Sequence, residues 1–155
     1  METPIEPKAK ATSSKAYIYA VGRRREAVAR VRIYNVASAQ IFGAERKRGD
    51  IVVNEKLVTE YFKFVAFESQ YKKILSETGT DGKYIISARV TGGGLNGQMD
   101  AIIHGIARAL DILDSEKHHK KLSDAGYLTR DPRTRERRKV GNAGKARRKK
   151  SSPKR

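Results

Sequence analysis

The chain contains no cysteine among its 155 residues. That excludes a disulfide framework, a thiolate zinc site and a cysteine nucleophile. It has no run of about 18 apolar residues, so no transmembrane helix is expected. The first 16 residues lack the apolar stretch of a secretory signal, and Glu2 and Glu6 speak against an acid-poor transit peptide. Acids are scarce: 17 Asp and Glu stand against 34 Lys and Arg, a net charge of +17 with a pI near 10.3. A compact protein with that imbalance repels itself. A polyanion relieves the repulsion, and nucleic acid is the commonest one; an anionic membrane surface is its main competitor. These features describe a soluble, cytoplasmic chain of one domain plus an appendage.

The charge is unevenly placed. Residues 117–155 carry 16 Lys and Arg against 3 Asp and Glu, whereas residues 1–116 carry 18 against 14. The last stretch has too little apolar surface to offset its ordering entropy alone. The chain therefore divides into a disordered N-terminal extension over 1–16, a globular domain over 17–128 and an extended basic C-terminal tail over 129–155. Pro4, Pro7, Thr12, Ser13 and Ser14 mark the extension.

Within the domain, residues 17–22 and 27–36 read as strands, with Gly22 and the following arginines at the bend. Residues 37–50 read as a surface loop carrying Arg46-Lys47-Arg48, and 51–53 as a short strand ending at a turn on Asn54. Two short helices are predicted near 56–63 and 67–78, and a strand over 83–91. A helix over about 97–114 follows from the three–four–three spacing of Ile103, Ile106, Leu110 and Leu113. Another over 116–124 ends near Gly126. The order gives an α+β fold: a compact two-layer domain, its sheet mainly antiparallel, with helices packed on one face.

Gly92-Gly93-Gly94-Leu95-Asn96-Gly97 follows a strand, opens a helix and satisfies the dinucleotide-binding pattern. That site also needs a second strand bearing an acid for the ribose, and none follows. Gln98 and Met99 stand where a phosphate-binding loop would have Lys and Ser or Thr. The bland reading is a tight turn where backbones meet closely. A third reading places an RNA phosphate at the exposed amides and the positive helix N-terminus. His118 and His119 point about 100° apart on a helix, a poor chelate among lysines; a solvated or phosphate-facing surface fits them better. No nucleophile motif appears, and Asp111 and Asp114 read as surface acids near Arg108 and Lys117. The chain is expected to be no enzyme, with no cofactor, no metal and no small-molecule substrate.

The basic runs carry the strongest signal. Arg23, Arg24, Arg25, Arg30 and Arg32 form one cluster; Arg130, Arg133, Arg135, Arg137, Arg138 and Lys139 a second; Lys145, Arg147, Arg148, Lys149 and Lys150 a third, with Lys154 and Arg155 closing the chain. Arginine favours bidentate phosphate contacts. Gly141, Gly144 and Pro153 interrupt the tail, which suits threading between RNA segments and ordering on binding. Tyr17, Tyr19 and Tyr127 fit either base stacking or core packing.

Particular residues carry a family resemblance. Residues 20–31, through Gly22-Arg23-Arg24-Arg25-Glu26-Ala27, resemble the opening strand pair of the small-subunit ribosomal protein nine family, and Ile51 through Phe62 resembles its next segment. Gly92 through Gln98, with Ala101-Ile102 and His104 through Leu110, resembles the family's most specific signature. Ala125 through Arg133, Glu136 through Lys139 and Lys145 through Arg148 resemble its C-terminal arm. The resemblance implies a structural, non-enzymatic component of the small-subunit head in a cytoplasmic ribosome, neighbouring other head proteins and spanning no membrane. It implies that the basic clusters, together with Gly92, Gly93, Gly94, Asn96, Gln98, His104 and Arg108, bind small-subunit rRNA. It further implies that Lys154 and Arg155 touch peptidyl-site tRNA. The chain departs from the family at Pro153, in a terminus without the usual aromatic; at Lys73-Ile74, where many members carry Gln-Pro; in a longer loop over 39–49; and in the extension over 1–16. A free-standing, non-specific nucleic-acid binder or RNA chaperone is the alternative.

Overall fold

A computed structural model describes residues 17–148; the expectations for 1–16 and for Lys149, Lys150, Pro153, Lys154 and Arg155 lie outside the described residues. The chain begins with a hairpin. Strand β1 (Ile18–Arg24) pairs antiparallel with β2 (Ala27–Tyr34), in a register that sets Ile18 opposite Ile33 and Arg24 opposite Ala27. Arg23 and Arg24 therefore belong to the strand, and the turn is the two residues Arg25–Glu26, with Arg25 at φ +50°. Of the bend expected at Gly22 and the arginines after it, only Arg25 is in the turn; Gly22 lies within β1 opposite Ala29, where the backbone of α3 packs against it.

The stretch expected to be a loop is a second hairpin, β3 (Ser38–Ile41) and β4 (Ala44–Lys47), turning at Phe42–Gly43 with both at positive φ. Its only buried large side chain is Ile41. Short strands of alternating polarity broken by charge carry too weak a period to read locally. β5 (Ile51–Val53) comes next and pairs with the two-residue β6 (Lys56–Leu57) around Asn54–Glu55. Helix α1 (Val58–Tyr61) and helix α2 (Val65–Thr78) lead to β7 (Ile85–Thr91). The main sheet runs β1-β2-β7-β5-β6, antiparallel except where β5 lies parallel to β7.

Helix α3 (Leu95–Leu113) lies across β1 and β2, and α4 (Ser115–Asp124) packs against α2 and α3. The fully buried line of α3 is Met99, Ile102, Ile106 and Leu110, while Ile103 and Leu113 lie at its margin. Ile106 and Leu110 lie on the buried line as the spacing predicts, and Met99 and Ile102 extend it in place of Ile103 and Leu113. Four side chains of this kind, each contributing about 1.5–3 kcal/mol on burial, make α3 the centre of the core. Opposite them stand Ala29, Val31 and Ile33 of β2 and Ala88 and Val90 of β7. Strict alternation in β2 places Arg30 and Arg32 on the other face of the sheet.

Asp114 caps α4 by accepting the Lys117 N–H. His118 is only 8% exposed, which corrects the solvated reading; its Nδ1 has no hydrogen-bond partner among the described residues, and burial lowers its pKa. Its neighbour His119 is exposed and meets Asp111 at 2.9 Å. One residue, about 100° of helix, separates their directions, and His118 shares its face with Leu122 four residues on, which is buried.

Candidate nucleic-acid interface

β1 is an edge strand, so alternate backbone groups along it need partners from outside the sheet. Two side chains of α3 supply them. Arg108 donates to the Val21 carbonyl at 2.6 Å, and His104 Nδ1 accepts the Arg23 N–H at 3.4 Å. Burial, then the nearby Arg108 guanidinium, lowers the His104 pKa, so its acceptor form persists. Both residues expected to bind RNA thus fasten α3 to the sheet edge through these atoms.

The glycine loop is built by close approach. Gly92 has φ +75°, and a Cβ there would stand 2.4 Å from the Glu26 carbonyl oxygen; one on Gly93 would stand 3.1 Å from the Ala27 Cβ. The loop therefore rests against the β1–β2 turn, as the tight-turn reading expects. Gln98 locks it by donating to the Gly92 carbonyl at 3.0 Å and accepting from the Tyr61 hydroxyl at 2.9 Å. Gly94 is the N-cap of α3, without a side-chain cap, and the first turn holds no acid. The exposed loop and the first turn of α3 share a cleft with the exposed Arg25 and with Glu26. The helix dipole and Arg25 act with the same sign on an anion. Among the described residues no strand follows to complete a dinucleotide site: α3 runs into α4 and then into the arm. Among the described residues no cluster of His, Cys, Asp or Glu could hold a metal ion, and no helix is long and apolar enough to cross a membrane.

Arg24 differs from its neighbours. Its side chain is 12% exposed and reaches Asp131 at 2.9 Å and Asp100 at 3.5 Å, and it donates to the Arg133 carbonyl at 2.9 Å. Arg133 closes the far side through two hydrogen bonds from Nε and one of 2.7 Å from Nη2 to the Asp131 carboxylate. Those bonds, and the Arg133 N–H, hold the Asp131 carboxyl far below the usual range. Arg24 is thus a clasp that fixes where the basic arm leaves the domain. Arg24→Gln is expected to free the arm at a local cost of about 1.5–3 kcal/mol, the range for hydrogen bonds to charged groups. Hydrogen-exchange mass spectrometry would show residues 129–135 exchanging at least about tenfold faster while α3 is unchanged; equal exchange would place the anchor elsewhere.

Beyond the clasp, residues 129–148 form no helix or strand. The arm folds back once: Lys139 N–H donates to Lys145 O at 3.2 Å, and Arg147 pairs with Glu136 across the turn. Arg130, Arg135, Arg137, Arg138, Lys139, Lys145 and Arg148 are all exposed. A cleft of about 270 Å³ separates the arm's root from α3 and is edged by Arg23, His104 and Arg130. Of the tyrosines, Tyr127 packs against the core, Tyr17 lies beneath Arg32, and Tyr19 is exposed.

The helix-free face of the sheet adds residues that the sequence reading missed. Arg89 of β7 stands directly opposite Arg30, and Ser87 opposite Arg32. Phe42, from the tip of the β3–β4 hairpin, lies under the Arg89 guanidinium at 5.6 Å. The alternation Ser87, Arg89, Thr91 was the available signal, hidden by the apolar residues between them.

Asn96 is exposed on the first turn of α3. Three groups of expected residues thus converge on one end of the domain: the β1–β2 turn, the glycine loop with the start of α3, and the root of the arm.

Known proteins share this arrangement of sequence. Residues 22–155 match the family model described as ribosomal protein S9/S16. The small ribosomal subunit protein uS9 of Solidesulfovibrio magneticus is 39% identical over 131 residues, covering 84% of this chain and 92% of the relative. Its counterpart in Trichormus variabilis is 41% identical over 134 residues, covering 86% and 88%, as is that of a Nostoc species. The chain belongs to the ribosomal protein S9/S16 family and is a structural ribosomal protein, not an enzyme.

Proposed function

We propose that this chain, by family a structural component of the small ribosomal subunit, sits in the subunit head, binds small-subunit rRNA through its arginine clusters and sends its C-terminal end to peptidyl-site tRNA. The observation that carries the reading is the clasp: Arg24, which also lines the cleft at the glycine loop, binds Asp131 and fixes the root of the basic arm. The domain sets the origin and direction of the arm, and the arm's exposed arginines neutralise phosphates. Charge neutralisation of this kind is largely independent of sequence, so selectivity comes from the shape in which the domain presents the clusters. Arg25 and the first amides of α3 form one such cluster; the arm from Arg130 to Arg148 forms the next. Lys154 and Arg155 are the residues proposed to meet tRNA.

Reconstitution tests both levels. The full chain should enter small subunits. A chain lacking Lys154 and Arg155 should enter as well, yet leave peptidyl-site tRNA bound more weakly, by roughly tenfold for two lost charge-assisted phosphate contacts. Failure of the full chain to enter subunits would favour a free-standing nucleic-acid binder. Equal tRNA affinity with and without the last two residues would remove the tRNA role alone.

A further inference from the structure

The helices cover one face of the main sheet. On its other face the β3–β4 hairpin covers only part: Ile41, Val52 and Ile85 are buried yet lie outside the main core cluster, and Val52 and Ile85 share with Ser87 the face away from α3. Beside that patch the face is open and basic. Arg30, Arg32, Arg89, Ser87 and Phe42 line a cleft of about 230 Å³ that contains no acid.

The register makes this cleft unusual. Arg30 and Arg89 are direct cross-strand partners on neighbouring antiparallel strands, and like charges placed so oppose each other. Among the described residues, no ion pair involves Arg30, Arg32 or Arg89. Aromatic rings hold two of the guanidinium groups instead: Phe42 lies 5.6 Å from Arg89, and Tyr17 lies 4.8 Å from Arg32. A guanidinium resting on a ring keeps its N–H edge free, and that edge matches a phosphate in bidentate fashion. Ser87, 4% exposed, puts a hydroxyl at the floor of the cleft.

We propose that the helix-free face of the sheet, centred on Arg30, Arg32 and Arg89, is a separate RNA-backbone site that holds adjacent phosphates of the rRNA. It rests on the ribosomal reading above, and it faces away from α3 and its helix-bound glycine loop. One continuous RNA segment, or two, would be gripped from both sides of the sheet. The bound anion resolves the repulsion between Arg30 and Arg89, which exists in the free protein for the sake of binding. No base is read at this site; the backbone is recognised by its charge and shape.

The test uses the full chain, a transcript of the small-subunit rRNA head and an unrelated duplex RNA, across a salt series. Wild type should prefer the head transcript. Arg30→Thr with Arg89→Thr should weaken head binding at least about tenfold and lower the salt slope by about 2, one per phosphate contact. The same double variant should melt no lower than wild type, because it relieves a like-charge pair. Lys63→Gln with Lys120→Gln removes the same charge from exposed positions elsewhere and should keep the wild-type slope. Should the threonine variant bind like the lysine-site control while wild type still prefers the head transcript, the face is no site and the ribosomal reading stands. Should wild type show no preference, both fall. If the threonine variant melts far below wild type, Arg30→Lys with Arg89→Lys decides. Weaker head binding at unchanged melting supports the fork-to-phosphate contact, and unchanged binding overturns it.

Discussion

Gly22→Ala is expected to destabilise the protein by roughly 3 kcal/mol or more, and Gly22→Val to leave it unfolded. A Cβ on Gly22 would lie 1.9 Å from the Ala101 carbonyl oxygen and 2.4 Å from the Gly105 nitrogen. Both obstacles are backbone atoms of α3, so no rotamer change makes room. The helix rests on strand β1 at backbone distance, and Arg108 and His104 hold it there. A domain of this size holds only about 5–15 kcal/mol in all, so a valine that pushes the helix away removes much of the margin. Gly105 tests the same contact from the other side. Its added Cβ would meet the Val31 Cγ2 at 2.6 Å, a side-chain obstacle, with the Gly22 nitrogen farther off at 3.2 Å. Gly105→Ala should therefore cost less, about 1–3 kcal/mol, and should couple to Val31→Ala in a double-mutant cycle. Urea midpoints measure all of these. A Gly22→Ala protein with the wild-type midpoint would show that α3 does not touch β1 in solution.

Asn54→Ala is expected to cost about 2–5 kcal/mol, the sum for two buried backbone groups left unpaired. The Asn54 amide donates to the Val90 carbonyl at 2.9 Å, and its oxygen accepts the Val90 N–H at 2.8 Å. Its own N–H donates to Ala88 O at 3.0 Å. The side chain thereby continues the parallel β5–β7 ladder one step past Val53, where the backbone turns away with Asn54 at φ +45° and Glu55 at φ +78°. Asparagine suits both tasks, since it tolerates the left-handed region and carries one donor and one acceptor. Asn54→Asp keeps the acceptor and sets a carboxylate against the Val90 carbonyl, so it should be no better than alanine. Because β7 leads directly into Gly92, loosening its end should also loosen the glycine loop. Amide exchange at Val90 and Gly92 would rise together. Protection at Gly92 unchanged in Asn54→Ala would separate the two.

Much of the molecule was legible without coordinates, for identifiable reasons. The α3 helix is long and its apolar period repeats several times, so its face was readable even though Ile103 and Leu113 lie at the margin of the core. The β-branched and aromatic residues of β2 made it readable, and the separation of ordinary charge before residue 117 from the basic stretch after it marked the arm. The motifs around Gly22, Gly92 and Tyr127 named the family. These features depend on neighbours within a few turns of chain, where propensity and spacing act directly. Other features depend on partners far away. Arg24 reads like Arg23 and Arg25, yet it turns inward because Asp131 waits more than a hundred residues on. Its adjacency to them in the chain says nothing of that. His118 and His119 look alike until α4 buries one of them. Residues 38–47 carry too few apolar positions to announce a hairpin, which forms because Ile41 finds cover against the sheet. Arg89 gains its meaning only when β7 pairs with β2 and sets it opposite Arg30. Local composition decides which segments curl or extend and how much charge they carry. Register, long-range ion pairs and the choice of which face is covered are decided by where distant strands meet, because a shift of one residue in a ladder moves every side chain to the opposite face.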